Sequence, residues 1–315
     1  MEPDYDIVGV LPYFYPETTG HCQSCNLLFA EFSQAGLRVA MIAADRYYST
    51  PGNALPRVER WNGIDIYRVV LPRVSRASAG RHLLQAMAFT LQALRLFRRL
   101  RARSAFSITS PPLLYAWLSW VCRRRKSPFV LWAMDLYPET LAAMNLISKD
   151  GWRHRLFRRW ARKGYERCAH IFTLGPVMRA RLVEAGADDQ RLTDVHNWVP
   201  RGIHYIAPGD NPLYQAGNWK GKFIVHYSGN IGLVHDFALI FAAAERMLVS
   251  DPDVVFMIVG QGPRKSDLER VAREKKLDNV RFYPYAPYEQ LSESLSLADL
   301  AFVTLERGFE GVIAP

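Results

Sequence analysis

Residues 223–232 read FIVHYSGNIG, and residues 254–263 read VVFMIVGQGP. Each stretch is an apolar run that stops at a glycine-rich turn, and helical patterning follows over 235–248 and 264–276. A buried parallel strand that leads through a glycine turn into a helix is the arrangement by which α/β sheets bind nucleotides. Glycine lets the backbone approach a diphosphate, and the helix N-terminus offers unpaired N–H groups at the positive end of its dipole. The two stretches therefore predict a nucleotide site.

The alternation of strand and helix patterns extends outward from these two stretches. It predicts two further strands, at 279–285 and 299–305, in the second half of the chain. Residues 1–200 show the same alternation, whereas residues 201–221 contain Pro and Gly without any period, which is typical of a linker. The sequence therefore predicts an α/β protein of two Rossmann-like domains, 1–200 and 222–315, each built on a doubly wound parallel sheet.

Length and composition favour the same organisation. A chain of 315 residues is long for one hydrophobic core and comfortable for two, and contents of 49% apolar and 22% charged residues are those of a globular protein. No stretch reaches the roughly 18–20 apolar residues that a membrane-spanning helix needs. The chain begins MEPDYDIVGVLPYF, which is acidic before its apolar run and does not resemble a secretory signal. We therefore expect a cytoplasmic protein.

The net charge of +10 is unevenly distributed. Residues 1–200 carry 28 Lys and Arg against 16 Asp and Glu, whereas residues 201–315 carry 12 against 14. Two predicted helices, 81–103 and 152–167, hold most of the excess, and in them Arg is interleaved with Leu, Phe and Trp. This pattern favours peripheral binding to an anionic inner-membrane surface on its cytoplasmic side, with a solvated basic face as the plain alternative. Nucleic acid would require aromatic stacking platforms or a known module, and neither is seen, so we expect no nucleic-acid partner.

The four cysteines include one C-x-x-C pair, Cys22 and Cys25. The pair opens the helix after the first strand, which is where a thioredoxin-like redox site would lie, but the rest of the chain does not resemble that fold. Buried free thiols are the alternative. No further Cys and His pair completes a zinc site of normal spacing.

Seven short motifs follow one another in a characteristic order along nearly the whole chain. They are YFYPETTGHC (13–22), FVLWAMDLYPETL (129–141), the stretch 171–199, YSGNIG (227–232), IVGQGP (258–263), NVRFYPYAPYEQL (279–291) and ADLAFVTL (298–305). In this order they resemble the family 4 glycosyltransferases, which have the two-domain GT-B fold. The second motif resembles the branch that includes bacterial colanic-acid and O-antigen transferases.

The resemblance implies a function. It implies a retaining transfer of a sugar from a nucleotide-sugar donor to an acceptor hydroxyl, without an essential metal or other cofactor, in the synthesis of exopolysaccharide, O-antigen or another cell-envelope glycan. The donor would bind mainly to the C-terminal domain and the acceptor to the N-terminal domain, in a cleft that closes and excludes water. The acceptor would be a polyprenyl-diphosphate-linked sugar or another glycan.

The acceptor side of the predicted site lies in residues 1–200. Gly20 and His21 belong to the loop after the first strand, where the Gly20 backbone would approach the donor diphosphate; an ordinary turn glycine is the alternative. His21 would contact the acceptor or a phosphate. Asp135 ends a buried strand, and its carboxylate would hold an acceptor hydroxyl, with helix capping as the alternative. The family commonly has His immediately before this Asp, and here that position is Met134. Asp135 and Glu139 are therefore the predicted catalytic residues.

The donor side departs from the family pattern. Family members usually have Arg after the first glycine and Lys about five residues on, where this chain has Asn230 and, near the second position, His235. Asn donates a hydrogen bond without charge, and His carries charge only if a phosphate raises its pKa, so backbone N–H groups are expected to contribute more. Glu310 resembles the first acidic residue of the family's pair that holds the donor sugar and ribose. The predicted donor-binding residues are Gly229, Asn230, Gly232, His235, Gly260, Gly262 and Glu310; a plain strand-to-helix turn is the alternative for Gly260 and Gly262.

The end of the chain qualifies these expectations. The second acidic residue of the pair would lie beyond Pro315, and no helix follows the predicted strand 299–305. The pattern thus predicts that the second domain is incomplete and that the chain alone transfers little sugar. Two alternatives stay open: a catalytically inactive membrane-associated partner protein, and a nucleotide-sugar epimerase of the same fold.

Overall fold

The computed structural model describes residues 3–17, 21–47, 54–72, 79–199 and 202–313. The chain forms two compact units, one of residues 1–200 together with 310–314 and one of residues 201–309. Each has its own sheet, wholly or mostly parallel, and its own hydrophobic core. The predicted α/β class with two Rossmann-like doubly wound sheets is confirmed.

The first unit is built on an eight-stranded sheet. Its strands are β1 (Tyr5–Val10), β2 (Val39–Ala44), β3 (Val58–Trp61), β4 (Ile64–Val69), β5 (Ala102–Ile108), β6 (Phe129–Trp132), β7 (His170–Thr173) and β8 (Leu192–Asp194). They lie in the order β3-β4-β2-β1-β5-β6-β7-β8, and every neighbouring pair except β3–β4 is parallel. The strand order therefore reverses at β1, where the loops after neighbouring strands diverge and ligands of such sheets bind.

Strand β3 was not predicted from the sequence. It pairs antiparallel with β4 through a two-residue hairpin at Asn62 and Gly63, whose φ angles are 48° and 80°. Positive φ at both positions is the requirement of a type I′ turn, and the Asn-Gly dipeptide is its usual sequence. That dipeptide was the local signal for the hairpin.

Helices cover both faces of the eight-stranded sheet. They are α1 (His21–Gln34), α2 (Ala79–Arg99), α3 (Leu114–Arg124), α4 (Glu139–Ala143), α5 (Trp152–Glu166) and α6 (Pro176–Glu184). One core cluster joins the sheet to α2, α3, α5 and α6, with Phe97, Leu118 and Tyr165 among its members. The other lies on the α1 side and includes Phe29 and Trp132. Within the described ranges, no helix is both long enough and apolar enough to cross a bilayer.

The second unit has a smaller, all-parallel sheet. Its strands are β9 (Phe223–Ser228), β10 (Val254–Val259), β11 (Val280–Tyr283) and β12 (Leu300–Ala301), in the order β11-β10-β9-β12. Its helices are α7 (Pro212–Ala216), α8 (Ala238–Ser250), α9 (Lys265–Glu274) and α10 (Leu291–Leu295), with a 3-10 turn at Tyr288–Gln290. The predicted strand 299–305 is thus only two residues long. After it the chain leaves the sheet, and the Glu306 N–H donates to the Val234 carbonyl at 2.8 Å.

The segment predicted as a linker, 201–221, packs into the second unit over its described residues. Asn211 is fully buried; its Oδ1 accepts from the N–H groups of Leu213 and Tyr214 and its Nδ2 donates to the Glu293 carbonyl. Trp219 joins the core cluster on one face of the sheet. An aperiodic segment is anchored here by one Asn and one Trp, and such anchors leave no repeating pattern in the sequence.

The last described residues belong to the first unit, although the sequence placed 222–315 together. The Leu136 N–H donates to the Val312 carbonyl at 2.7 Å, and Asp135 and Ile313 form an antiparallel bridge. Gly311 has φ +68°, and a Cβ there would lie 2.8 Å from the backbone of Val177. Backbone pairing to the residues after β6, rather than membership of the four-stranded sheet, decides where this segment packs.

Candidate functional site

In the second unit, two loops leave the sheet side by side. The loop of residues 229–236 follows β9, the loop of residues 260–264 follows β10, and β9 and β10 are parallel neighbours in register. The strand order reverses at β9, because β10 lies on one side of it and β12 on the other. The predicted donor glycines therefore lie at the position where α/β sheets bind nucleotides.

The two loops bind each other through their backbones. The Gly229 N–H donates to the Val259 carbonyl at 3.0 Å, the Ile231 N–H to Gln261 at 2.9 Å and the Arg264 N–H to Ile231 at 3.2 Å. A Cβ at Gly260 would overlap the carbonyl oxygen of Gly229. A Cβ at Gly262 would likewise overlap the carbonyl of Ile231. Packing between the loops is thus sufficient to require glycine at 260 and 262.

Gly229 is different. The atom nearest to a Cβ built on it is the hydroxyl of Tyr227, at an ordinary contact distance of 3.4 Å. No internal packing therefore demands glycine there. The Gly229 N–H itself donates to Val259, so it does not offer the free backbone donor expected for a donor phosphate; what stays open is the space beside its Cα.

His235 serves the loop as a neutral ring. Its Nδ1 accepts the N–H of Gly232 at 3.1 Å, which leaves the ring proton on Nε2. Burial lowers the pKa of His235, and the charge of Arg264 acts in the same direction. With its pKa lowered, His235 is a neutral hydrogen-bonding ring near pH 7, and the exposed Asn230 is uncharged as well.

Two basic residues at this edge were missed by the sequence interpretation. Arg264 Nη1 donates to the His235 carbonyl at 2.6 Å and to Glu306 Oε1 at 2.9 Å. Lys265 Nζ donates to the carbonyls of Gly260 and Tyr283, at the ends of β10 and β11. Both stand at the start of α9, where the helix dipole disfavours cations. Two basic residues at a helix start are unusual, and this was the sequence signal for their hydrogen bonds to the loop carbonyls and to Glu306.

The corresponding edge of the first unit begins with the loop after β1. Gly20 lies outside the described residues. His21 opens α1, and its Nε2 is buried without a hydrogen-bond partner among the described residues. Burial lowers the pKa of His21, and Glu17 opposes this. The side chain of Asn26 holds the loop, accepting from the Tyr15 N–H at 3.0 Å and donating to the Glu17 carbonyl at 2.9 Å.

The C-x-x-C pair lies in the same helix. Cys22 and Cys25 are both buried, and neither forms a disulfide. Burial raises the pKa of the Cys22 thiol to about 12 and raises that of Cys25 as well. Thiols held protonated are poor nucleophiles, so the structure favours buried free thiols over the redox interpretation.

Asp135 and Glu139 lie at the carboxyl edge of the same sheet. The N–H groups of Met134 and Asp135 donate to Thr109 Oγ1 at 3.0 and 2.9 Å, which joins the ends of β5 and β6. The N-cap residue of α4 is Pro138, which makes no side-chain capping hydrogen bond. Glu139 opens α4 within electrostatic reach of the buried Tyr165, whose pKa is raised by burial and further by this carboxylate.

The structure therefore brings some predicted residues together within each unit. Asp135 pairs with the 310–313 segment, which begins with Glu310. Gly229, Asn230, Gly232, His235, Gly260 and Gly262 gather in the two loops of the second unit. The roles assigned to these residues stay predictions. No group of three or more His, Cys, Asp or Glu in the described ranges is arranged to hold a metal ion.

Two curated relatives match by sequence. The probable glycosyltransferase WbjE of Pseudomonas aeruginosa is 26% identical over 246 residues, 76% of this chain and 61% of the relative. The putative colanic acid biosynthesis glycosyl transferase WcaI of Escherichia coli (strain K12) is 28% identical over 191 residues, 59% of this chain and 46% of the relative. The chain thus spans about half to three fifths of the length of these relatives.

Solved structures share the fold. Sucrose-phosphate synthase from Thermosynechococcus elongatus superposes with a TM-score of 0.67 at 14% identity, covering 94% of this chain and 74% of that one. Anabaena Alr3699/HepE in complex with UDP gives 0.66 at 12% identity, covering 94% and 73%. At such low identity these likenesses establish the fold alone.

Family models match both halves of the chain. The model of the "Glycosyl transferases group 1" covers residues 214–312. The model of the "Glycosyl transferase 4-like domain" covers residues 19–198, which is more than half of the 315 residues. The resemblance drawn from the seven motifs is confirmed, and the chain belongs to the glycosyl transferase 4-like family.

Proposed function

We propose that this protein transfers a sugar from a nucleotide-sugar donor to a glycan acceptor. The observation that carries the proposal is the pair of glycine loops after β9 and β10, which meet at the strand-order reversal of the second unit. Membership of a glycosyltransferase family supports it. The named relatives are glycosyltransferases, one of them assigned to colanic acid biosynthesis. Synthesis of a bacterial exopolysaccharide, O-antigen or other envelope glycan is the corresponding role.

The donor would be held mainly by backbone. The N–H groups of Asn230, Gln261 and Gly262 make no hydrogen bond within the described part of the chain, so all three can donate to phosphate oxygens. Arg264 and Lys265 add positive charge behind these N–H groups. Of the structural neighbours, Alr3699/HepE was solved with UDP and with UDP-glucose, which is the chemistry such a loop pair suits.

The acceptor side would use the first unit. Asp135 and Glu139, at the carboxyl edge of the sheet, would hold or deprotonate an acceptor hydroxyl. His21 has a buried Nε2 without a hydrogen-bond partner among the described residues and would contribute on the same side. We propose retaining transfer without an essential metal. The acceptor is a polyprenyl-diphosphate-linked sugar or another glycan, and the protein works peripherally on the cytoplasmic face of the inner membrane.

A thermal-shift screen of nucleoside diphosphates and their sugars tests the donor site. Gly229→Val should abolish the stabilisation by the best ligand, because the new side chain fills the space that the phosphate needs. Gly209→Val is the matched control, since nothing lies within 4 Å of a Cβ at Gly209 in the same unit. Unchanged ligand stabilisation in Gly229→Val would show that the donor binds elsewhere. Formation of the epimeric sugar from the best donor in the absence of acceptor would instead identify an epimerase.

A further inference from the structure

One face of the first unit exposes large apolar side chains. Helices α2, α3 and α5 pack their inner sides into the same core cluster. Their outer sides carry exposed residues at helical spacing, which reverses the usual amphipathic pattern. The exposed apolar residues on these three helices are Leu84, Met87, Leu91, Trp117, Trp152, Leu156 and Trp160. We call the outer side of α2, α3 and α5 the basic-aromatic face.

Tryptophans occupy the middle of this face. The rings of Trp117 on α3 and Trp160 on α5 meet edge to face with centroids 4.8 Å apart, and both remain exposed. Trp152, the first residue of α5, is 65% exposed. An indole has a large apolar surface and one N–H donor, and it is enriched where a bilayer meets water.

The charge of the face is almost entirely of one sign. The three helices contain twelve Arg and Lys and one carboxylate, Glu166, which is paired with Arg162. Arg155 and Arg159 on α5 are exposed and form no hydrogen bond or ion pair within the described residues. These guanidinium groups are therefore available to phosphates outside the protein.

A small cavity between α2 and α3 adds a place for one such phosphate. It has a volume of about 250 Å³ and is lined by Arg98, Trp120, Val121, Arg124 and Arg125. The Arg124 guanidinium lies 4.0 Å from the centroid of the Trp120 ring, and Arg125 donates to two carbonyls at the end of α2. The Arg98 side chain has no such bond in the described structure.

Apolar and basic residues are separated along two of the helices. On α2 the exposed Leu84, Met87 and Leu91 precede the basic last turn, and on α3 Trp117 precedes Arg123 and Arg124. Helices that connect two parallel strands of one sheet run antiparallel to them, so the N-terminal halves of α2 and α3 lie toward the carboxyl edge of the sheet. That edge also holds Asp135 and Glu139. The apolar half of the face and the predicted acceptor carboxylates therefore lie toward the same edge.

We propose that the basic-aromatic face docks on an anionic lipid bilayer, with its tryptophans and leucines at the interface and its arginines on lipid phosphates. The direction of the docking rests on the proposed function, because a lipid-linked acceptor could then reach Asp135 while its tail stays in the bilayer. A second copy of the chain would set one strongly positive face against another and is disfavoured. Nucleic acid would match the charge but leave the apolar half of α2 exposed.

Sedimentation of the full chain with vesicles tests this directly, without donor or acceptor. The probes are phosphatidylcholine vesicles and the same vesicles containing phosphatidylglycerol, each at low and high salt. We expect binding only to the anionic vesicles, strongly reduced by salt. Quenching of tryptophan fluorescence by brominated lipid should accompany binding, because Trp152 and its neighbours enter the interface.

Two double variants separate charge from insertion. Arg155→Gln with Arg159→Gln should weaken partitioning on the order of 30-fold, from about 1 kcal/mol for each basic residue near the surface. Trp152→Ser with Leu156→Ser should weaken it about tenfold or more and reduce the quenching. The matched control is Leu239→Ser with Arg246→Gln on the exposed side of α8, which should change nothing. Thermal unfolding establishes that each variant is folded.

Each other outcome overturns the proposal. The proposal is wrong if the protein binds neutral vesicles equally well, or if test and control variants lose binding equally. It is also wrong if the protein binds single-stranded nucleic acid but no vesicles, or if it forms a dimer that the tryptophan variant dissociates. The quenching measurement on the unaltered chain remains decisive if a variant fails to fold. Vesicle binding without any nucleotide-induced stabilisation would overturn the proposed function and leave the docking face standing.

Discussion

The loops after β9 and β10 both begin with glycine, but for different reasons. Gly260 must be glycine because the neighbouring loop lies against it, whereas nothing in the protein crowds Gly229. One loop is thus a support and the other is the surface that it supports. A glycine-rich motif read from sequence does not distinguish these two uses, and only the neighbour across the turn does.

The largest effect that tests this difference is expected from Gly260→Ala. The new methyl group would overlap the Gly229 carbonyl, and neither backbone can yield without breaking the bonds between the loops. We expect a loss of about 3 kcal/mol in unfolding free energy, against about 0.5 kcal/mol or less for Gly229→Ala. Urea unfolding measures the free energy for both variants, and hydrogen exchange in residues 254–259 shows whether the loss is local to β10 and its loop. Similar losses for the two variants would mean that the loops do not differ in this way.

A second, smaller effect concerns the strands beneath the loops. His226 on β9 is 2% exposed, pairs in register with Met257 on β10 and has no partner for its Nε2 within the described residues. Burial lowers its pKa from 6.5 to about 4. The unfolded chain then binds the proton more readily than the folded protein does. Acid therefore lowers the unfolding free energy: it has its full value above about pH 6.5 and falls as the pH drops toward 4.

His226→Met should remove that part of the acid sensitivity. Between pH 7 and pH 5, proton binding to this His in the unfolded chain lowers the unfolding free energy of the parent by about 2 kcal/mol. The measurement is the unfolding free energy from pH 7 to pH 4.5 for the variant and the parent. His204→Met, at an exposed position, is the control for the substitution itself and should change the unfolding free energy at pH 7 by less than about 0.5 kcal/mol. A parallel slope for His226→Met would place the acid sensitivity elsewhere.

The smallest effect is expected at Arg264, which ties the supporting loop to the supported one. Arg264→Ala removes a hydrogen bond to the His235 carbonyl and a partly exposed ion pair with Glu306. We expect a loss of about 1 kcal/mol and faster hydrogen exchange in residues 229–236. Arg270→Ala removes only exposed pairs on α9 and should cost less than about 0.5 kcal/mol. Unaltered hydrogen exchange in Arg264→Ala would show that the loop of residues 229–236 is ordered without the Arg264 side chain.

Most of the fold could be predicted from local sequence patterns. β9 and β10 were predictable because buried parallel strands are short apolar runs ended by glycine, and the family motifs are spaced around such runs. The Asn62–Gly63 hairpin had a local signal that was passed over. In contrast, the packing of Asn211 and of residues 310–313 depends on partners distant in sequence, and no periodicity records such contacts.

The sheet edge that holds the candidate site was predictable from the sequence, but the side-chain hydrogen bonds that hold its loops were not. The edge of the sheet that holds Gly229 and Gly260 follows from strand order, which the alternation of elements implies. That His235 would accept a backbone N–H through Nδ1, or that Arg264 would bind its carbonyl, depends on loop geometry. Side-chain roles of this kind depend on distances that composition and spacing do not contain.

The eight-stranded sheet ends in two short strands, and this has a consequence for the protein at high concentration. β3 presents Glu59 and Arg60 and has only four residues, and β8 has three and ends in Asp194. A long, flat, apolar edge invites another molecule to add a strand, whereas brief and charged edges offer few unpaired backbone groups and repel a partner. The short, charged edge strands therefore disfavour edge-to-edge aggregation of this wide sheet.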